Sequence, residues 1–149
     1  MVPVEVPAAT AAPAEVSADL AAVVAPPMAG LNQALADPSV TVDLGGVASG
    51  TALTDLGSEQ LEFQQQGLHQ VGSIEVASAE VTQDDPAAAP PTLVVKVCLD
   101  RSAVRVLDAN GKDVTNAAAQ PRVLQIWTMQ SVDGAWKLTD RTFADELAC

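Results

Sequence analysis

The hydrophobic period changes once along this chain, near Gly67, and that single change restricts the fold to helices first and strands afterwards. Before it, Val16, Leu20, Val23 and Val24, then Met28, Leu31 and Leu35, recur at three- and four-residue spacing, as one face of a helix requires. Pro26-Pro27 interrupts this run. A proline pair removes two backbone donors and restricts the residue before it, so the pattern predicts two helices, with Pro27 near the first turn of the second. Asp37-Pro38 ends that stretch. Ala52, Leu53, Leu56, Gln60 and Phe63 keep helical spacing and predict a third helix, with Gly67 as its terminator. The glycine-containing stretch Leu44 to Gly50 between them reads as a flexible connector.

After Gly67 the period is two. Ile74, Val76 and Val81 alternate with polar residues, and Thr92 to Leu99 reads as a more deeply buried strand. Asp84-Asp85-Pro86 to Pro91 is a loop. Val104 and Val106 continue the sheet to a turn over Asp108 to Lys112. A last hairpin runs from Arg122 to Phe143 around Asp133-Gly134, a dipeptide suited to a two-residue turn. In that register Val132 pairs with Ala135 and Ser131 with Trp136. Trp127, Met129, Trp136 and Leu138 then share one face, while Leu124, Ile126 and Phe143 share the other with Lys137 and Arg141. Helices followed by antiparallel strands indicate an α+β domain, with the N-terminal helices packed on one side of a curved sheet.

At 149 residues and 48% hydrophobic positions there is material for one core, and so one domain. Residues 1 to 12, MVPVEVPAATAA, have no usable period and read as a disordered leader or tether, leaving 13–149 as the folded part. There is no Tyr, and only two Phe and two Trp, so the core is aliphatic and a base-stacking surface is disfavoured. The net charge is −12, and all seven basic residues follow position 95. The first 95 residues carry 12 acids and no base, whereas the remainder is neutral. Nucleic acid and anionic lipid surfaces are therefore poor partners. No apolar run approaches the roughly 20 residues of a membrane span.

Cys98 lies in an expected central strand and Cys149 is the final residue. Either the two form a bridge, which belongs to an oxidising compartment, or Cys98 is a buried thiol and Cys149 an incidental terminal one. The bridge is the stronger reading. It points to an exported chain, extracellular or in the cell envelope, from which a signal segment has been removed.

Motifs that carry chemistry are sparse. His69 is the only histidine, and no Ser or Cys nucleophile motif accompanies it. Gly45 to Thr51 ends like a phosphate loop but lacks its lysine. Asp108 to Asp113 resembles a calcium loop, yet the glycine comes too early and no closing Glu follows, so a turn is expected and no metal site is assigned. Glu80, Asp84 and Asp85, or Asp140 and Asp145, could pair as acid and base only if the fold joined them at a pocket. Trp127, Met129, Trp136 and Leu138 are either core or the lining of an apolar ligand pocket. No catalytic residue and no cofactor is assigned.

Ala48-Ser49-Gly50-Thr51-Ala52-Leu53, the Gly67 and Gly72 pair, Val97 to Ser102, Val106 to Gly111, and Asp133 to Leu138 followed by Cys149 together form a pattern. Over roughly residues 14 to 149 it resembles actinobacterial secreted proteins and lipoproteins with an NTF2-like (cystatin-like) domain. The resemblance implies a cone in which N-terminal helices fill the concave face of a curled sheet. It also implies a Cys98–Cys149 disulfide and a leader that spaces the domain from a signal cleavage site or a lipid anchor in a precursor. Function does not follow from such a fold. The expectation is a non-catalytic exported or envelope binding domain for a small apolar ligand or a protein partner. The alternatives are a small isomerase- or cyclase-type enzyme, requiring Asp140, His69 or Asp100 to face the cone's interior, and a structural or assembly subunit.

Overall fold

The computed structural model describes residues 18 to 149 other than 117, 145, 147 and 148. The leader expected over residues 1 to 12, and Asp145, lie outside the described residues. In chain order the elements are α1 (Ala18–Ala36), a 3-10 turn (Leu44–Gly46), α2 (Gly50–Gln66), β1 (His69–Val71), β2 (Glu75–Asp85), β3 (Thr92–Asp100), β4 (Arg105–Leu107), β5 (Arg122–Val132) and β6 (Ala135–Phe143).

α1 corrects one expectation, because it runs unbroken through Pro26 and Pro27. Each proline in a helix interior costs about 3 kcal/mol, in part through the donor it lacks. Against that, Val24, Met28, Leu31 and Leu35 are buried on one stripe, with Pro27 itself fully enclosed beside them. Burial stabilises each such side chain by roughly 1.5–3 kcal/mol, and a break at the prolines would turn half the stripe away from the core. Asp37-Pro38 ends the helix as expected. α2 also ends as expected: Gly67 takes φ 69°, and the amides of Gly67 and Leu68 bond back to Gln64 and Phe63.

β2, β3, β5 and β6 form one antiparallel sheet in the order β2-β3-β5-β6, and β1 pairs antiparallel with β4 in a separate two-stranded ribbon. Register shifts in β2 and at Thr128/Met129 bend the sheet, since a bulge adds local twist. Along β3, Val95, Val97 and Leu99 are buried while Lys96 between them is exposed. That alternation defines an inner face covered by α1 and α2. There Trp127, Met129, Leu138, Val95 and Val97 pack with Leu31, Ala52 and Leu56 into one cluster. This is the α+β arrangement expected from the change of period.

The stretch Leu44 to Gly50 is not a flexible connector. Leu138 donates to Val47 and accepts from Ser49, and Lys137 Nζ donates to Gly45 O at 2.8 Å, so the segment lies along the outer strand β6. Ala48 is fully buried there. The segment covers an edge that would otherwise offer unpaired backbone groups.

On the outer face, Cys98 is bonded to Cys149, which ties the C-terminus to the middle of the sheet.

Candidate functional site

α2 carries two stripes. Ala52 and Leu56 go into the core, while Asp55, Ser58, Glu59 and Phe63, about one residue further round, face an opening beside it. Leu31 and Leu35 of α1, the inner-face residues Leu99, Val123 and Gln125, and Gln70 and Val106 of the β1/β4 ribbon also form its walls. They enclose a cavity of about 480 Å³.

The hairpin bulge decides which residues of β6 reach it. Register from the turn runs as expected as far as Met129↔Leu138, after which Thr128 pairs with Asp140 and Thr139 has no opposite residue in the ladder, its Oγ1 donating to Thr128 O instead. Every later residue of β6 is thereby moved to the opposite face. Arg141 comes opposite Trp127 and Phe143 opposite Gln125, so both line the cavity. The expectation that they share a face with Ile126 is corrected by this one extra residue. Arg141 then pairs with Glu59 of α2, so an inner-face cation has its counter-ion.

Gln70 is 4% exposed, the one buried polar side chain among the described residues. Its Nε2 donates to Asn32 Oδ1 at 2.8 Å and to the Gly72 carbonyl at 3.0 Å. Asn32 in turn receives the Ile74 amide and donates to the Ile74 carbonyl, both at 2.9 Å. This network ties α1 to the corner between β1 and β2. Gly72 makes the corner, with φ 82° and a position where an added Cβ would stand 2.2 Å from the Ala103 carbonyl oxygen. On the sheet, Gln125 Oε1 accepts from Trp127 Nε1 at 2.9 Å.

The residues singled out in the sequence lie elsewhere. Trp127, Met129 and Leu138 are fully buried beneath the helices and Trp136 packs half-buried against them, and none of the four lines the cavity. His69 pairs with Leu107 in the ribbon and does not line it. Asp140 pairs with Thr128 on the outer side of the sheet. Asp100 receives Ser102 and sits 3.4 Å from Arg122, and those hydrogen bonds from Ser102, aided by the guanidinium, hold its carboxyl below the ordinary 3.8. Asp108 accepts from the amides of Asn110 and Lys112, which a turn explains without a cation. Glu80, Asp84 and Asp85 are exposed along the edge strand β2. Among the described residues no group of three or more His, Cys, Asp or Glu side chains is placed to hold a metal.

The cavity's volume falls in the usual range for a small-molecule site, about 300–1,000 Å³, and its walls combine apolar side chains with nearly as many polar and charged ones. Its residues come from seven elements and two loops, so no local motif announces them. The nearest sequence signal is the second stripe of α2.

No protein-family model and no curated protein matches this sequence. Among solved structures the chain is similar to the intermembrane space region of the chloroplast protein ARC6. The TM-score is 0.61, over 91% of this chain and 99% of that one, at 15% identity. At that identity the likeness is one of fold.

Proposed function

We propose that this domain is a non-catalytic, exported binding module that takes a small, mainly apolar ligand in the cavity between its helices and the inner face of its sheet. The observation that carries the reading is the cavity itself. It is large enough for such a ligand, and nine of its 17 lining residues are apolar, among them Leu31, Leu35, Ile74, Leu99, Val104 and Val123. The groups an isomerase or cyclase reading requires, His69, Asp100 and Asp140, stand outside it. Export is supported by the Cys98–Cys149 disulfide, which belongs to an oxidising compartment. No helix among the described residues is long and apolar enough to cross a membrane. The match to a region of a chloroplast protein that lies between two membranes favours the same setting. A relation to the NTF2-like secreted proteins and lipoproteins named above agrees with this reading.

Titration with N-phenyl-1-naphthylamine, an uncharged apolar fluorophore, tests it. Saturable binding of one dye per chain is expected, together with its loss in Ser58→Trp, which fills the mouth from an exposed position on α2. Absence of saturable binding, or binding indifferent to that substitution, would overturn the proposal.

A further inference from the structure

Two glutamines face this cavity with hydrogen-bonding atoms left over, and the orientation of each amide is fixed by its neighbours. Asn32 Oδ1 is an acceptor because it receives the Ile74 amide, so the Gln70 atom that bonds it must be the donor Nε2. Nε2 has its second acceptor in the Gly72 carbonyl, so both its protons are placed. Gln70 Oε1 then has no partner among the described residues, on a side chain only 4% exposed that lines the cavity. The ribbon register Gln70↔Val106 agrees, since cross-strand partners share a face and Val106 also lines the cavity. A buried acceptor without a partner is uncommon in a folded protein, and a ligand is one way to satisfy it.

Gln125 is the complement. Trp127 Nε1 can only donate, so the glutamine atom that meets it is Oε1, and Gln125 Nε2 keeps its protons with no partner among the described residues. Charge is balanced around both: Arg141 is paired with Glu59, and the remaining charged lining residues are one cation, Arg101, and one acid, Asp55. The lining as a whole therefore favours neither sign, although Arg101 and Asp55 make no ion pair among the described residues.

We infer, resting on the reading of the cavity as a ligand site, that its ligand is an uncharged amide-bearing molecule with an apolar body. It donates a hydrogen bond to Gln70 Oε1 and accepts one from Gln125 Nε2. Carboxylates and amines gain no net attraction, because the charged lining residues, Arg141 with Glu59 and Arg101 with Asp55, sum to zero.

The test uses the whole chain labelled with 15N and follows the side-chain amide signals of Gln70 and Gln125. The added probes are ε-caprolactam, N-methylcaprolactam and cyclohexanecarboxylate. Caprolactam is expected to bind about tenfold more tightly than its N-methyl form, which has lost the donor, and the carboxylate to bind most weakly. Gln125→Glu, which keeps an acceptor for Trp127 but loses the Nε2 donor, is expected to weaken caprolactam about tenfold. Equal affinity for the two lactams, or tightest binding of the carboxylate, overturns this inference while leaving the cavity as a ligand site. The same holds if no lactam binds but the naphthylamine dye still does. If neither dye nor lactam binds, the ligand-site reading falls with it.

Discussion

The two faces of the same four strands are built on different principles. Trp127 and Ile126 are neighbours in β5, yet Trp127 is 1% exposed under the helices while Ile126 is half-buried on the outer side. The inner face is a close-packed core that opens at one end into a cavity. The outer face has a short apolar strip, Val94, Leu124 and Ile126, and its central covalent anchor is the Cys98–Cys149 bond. Inner-face stability therefore comes from area removed from water, whereas the outer face draws much of its stability from a cross-link that acts largely on the unfolded chain.

Adjacent substitutions break this comparison most directly. Trp127→Ala should cost about 3–5 kcal/mol, because it empties the centre of the cluster and removes the partner of Gln125 Oε1. Ile126→Ala should cost roughly 1–2 kcal/mol, since only part of that side chain leaves water. Urea unfolding of both variants measures the gap. Near-equal losses would mean that the outer strip is as tightly packed as the core.

Cutting the cross-link tests the other half. The bond joins residues 51 apart, for which loop entropy gives at most about 4 kcal/mol. Cys149→Ser is expected to lose about 2–4 kcal/mol and to lower the melting temperature. Dye binding at the cavity should stay within about twofold, because Cys98 faces away from it. Intact mass should rise by two hydrogens on reduction of the unaltered chain and by none in the variant. A variant that melts as the parent does but binds dye poorly would reverse the assignment of roles.

What could be read from the sequence divides along the same line. The change of period gave helices before strands, Asp133-Gly134 set the hairpin register as far as Met129↔Leu138, and Gly67 marked a helix end, because each of these is decided within a few residues. The extra residue Thr139 was not legible: nothing local asks for a bulge there, and it is the inner-face position of Arg141 opposite Glu59 that gives it a purpose. The same holds for Pro26-Pro27, where local chemistry argued for a break and burial of a long stripe overrode it. The lining of the cavity is not legible for a related reason. Its polar residues, Gln70 and Gln125, are ordinary glutamines until Asn32 and Trp127 fix which way their amides face.

The smallest effect concerns charge, which lies mostly outside the core. Hydrogen bonds from Ser102, with Arg122 nearby, hold Asp100 below its ordinary 3.8, and those from Thr115, with Arg105 nearby, do the same for Asp113. A carboxyl whose folded value is depressed binds protons less readily when folded than when unfolded. Its contribution is therefore fully present above the unfolded value of 3.8 and is lost as pH falls through the lower folded value. Both side chains are solvent-screened, so the effect of each is slight. It is also masked in the parent, because protonating a chain with 19 acids relieves repulsion at the same time. Comparing melting temperatures of the parent with Asp100→Asn and Asp113→Asn at each pH removes that shared background. The parent should melt slightly higher by a constant margin above about pH 5, and the margin should shrink toward zero between 3.8 and about pH 2. A margin that survives at pH 2 would show that Ser102 and Thr115 are held as well by a neutral acid, and that charge has no part in shaping these outer turns.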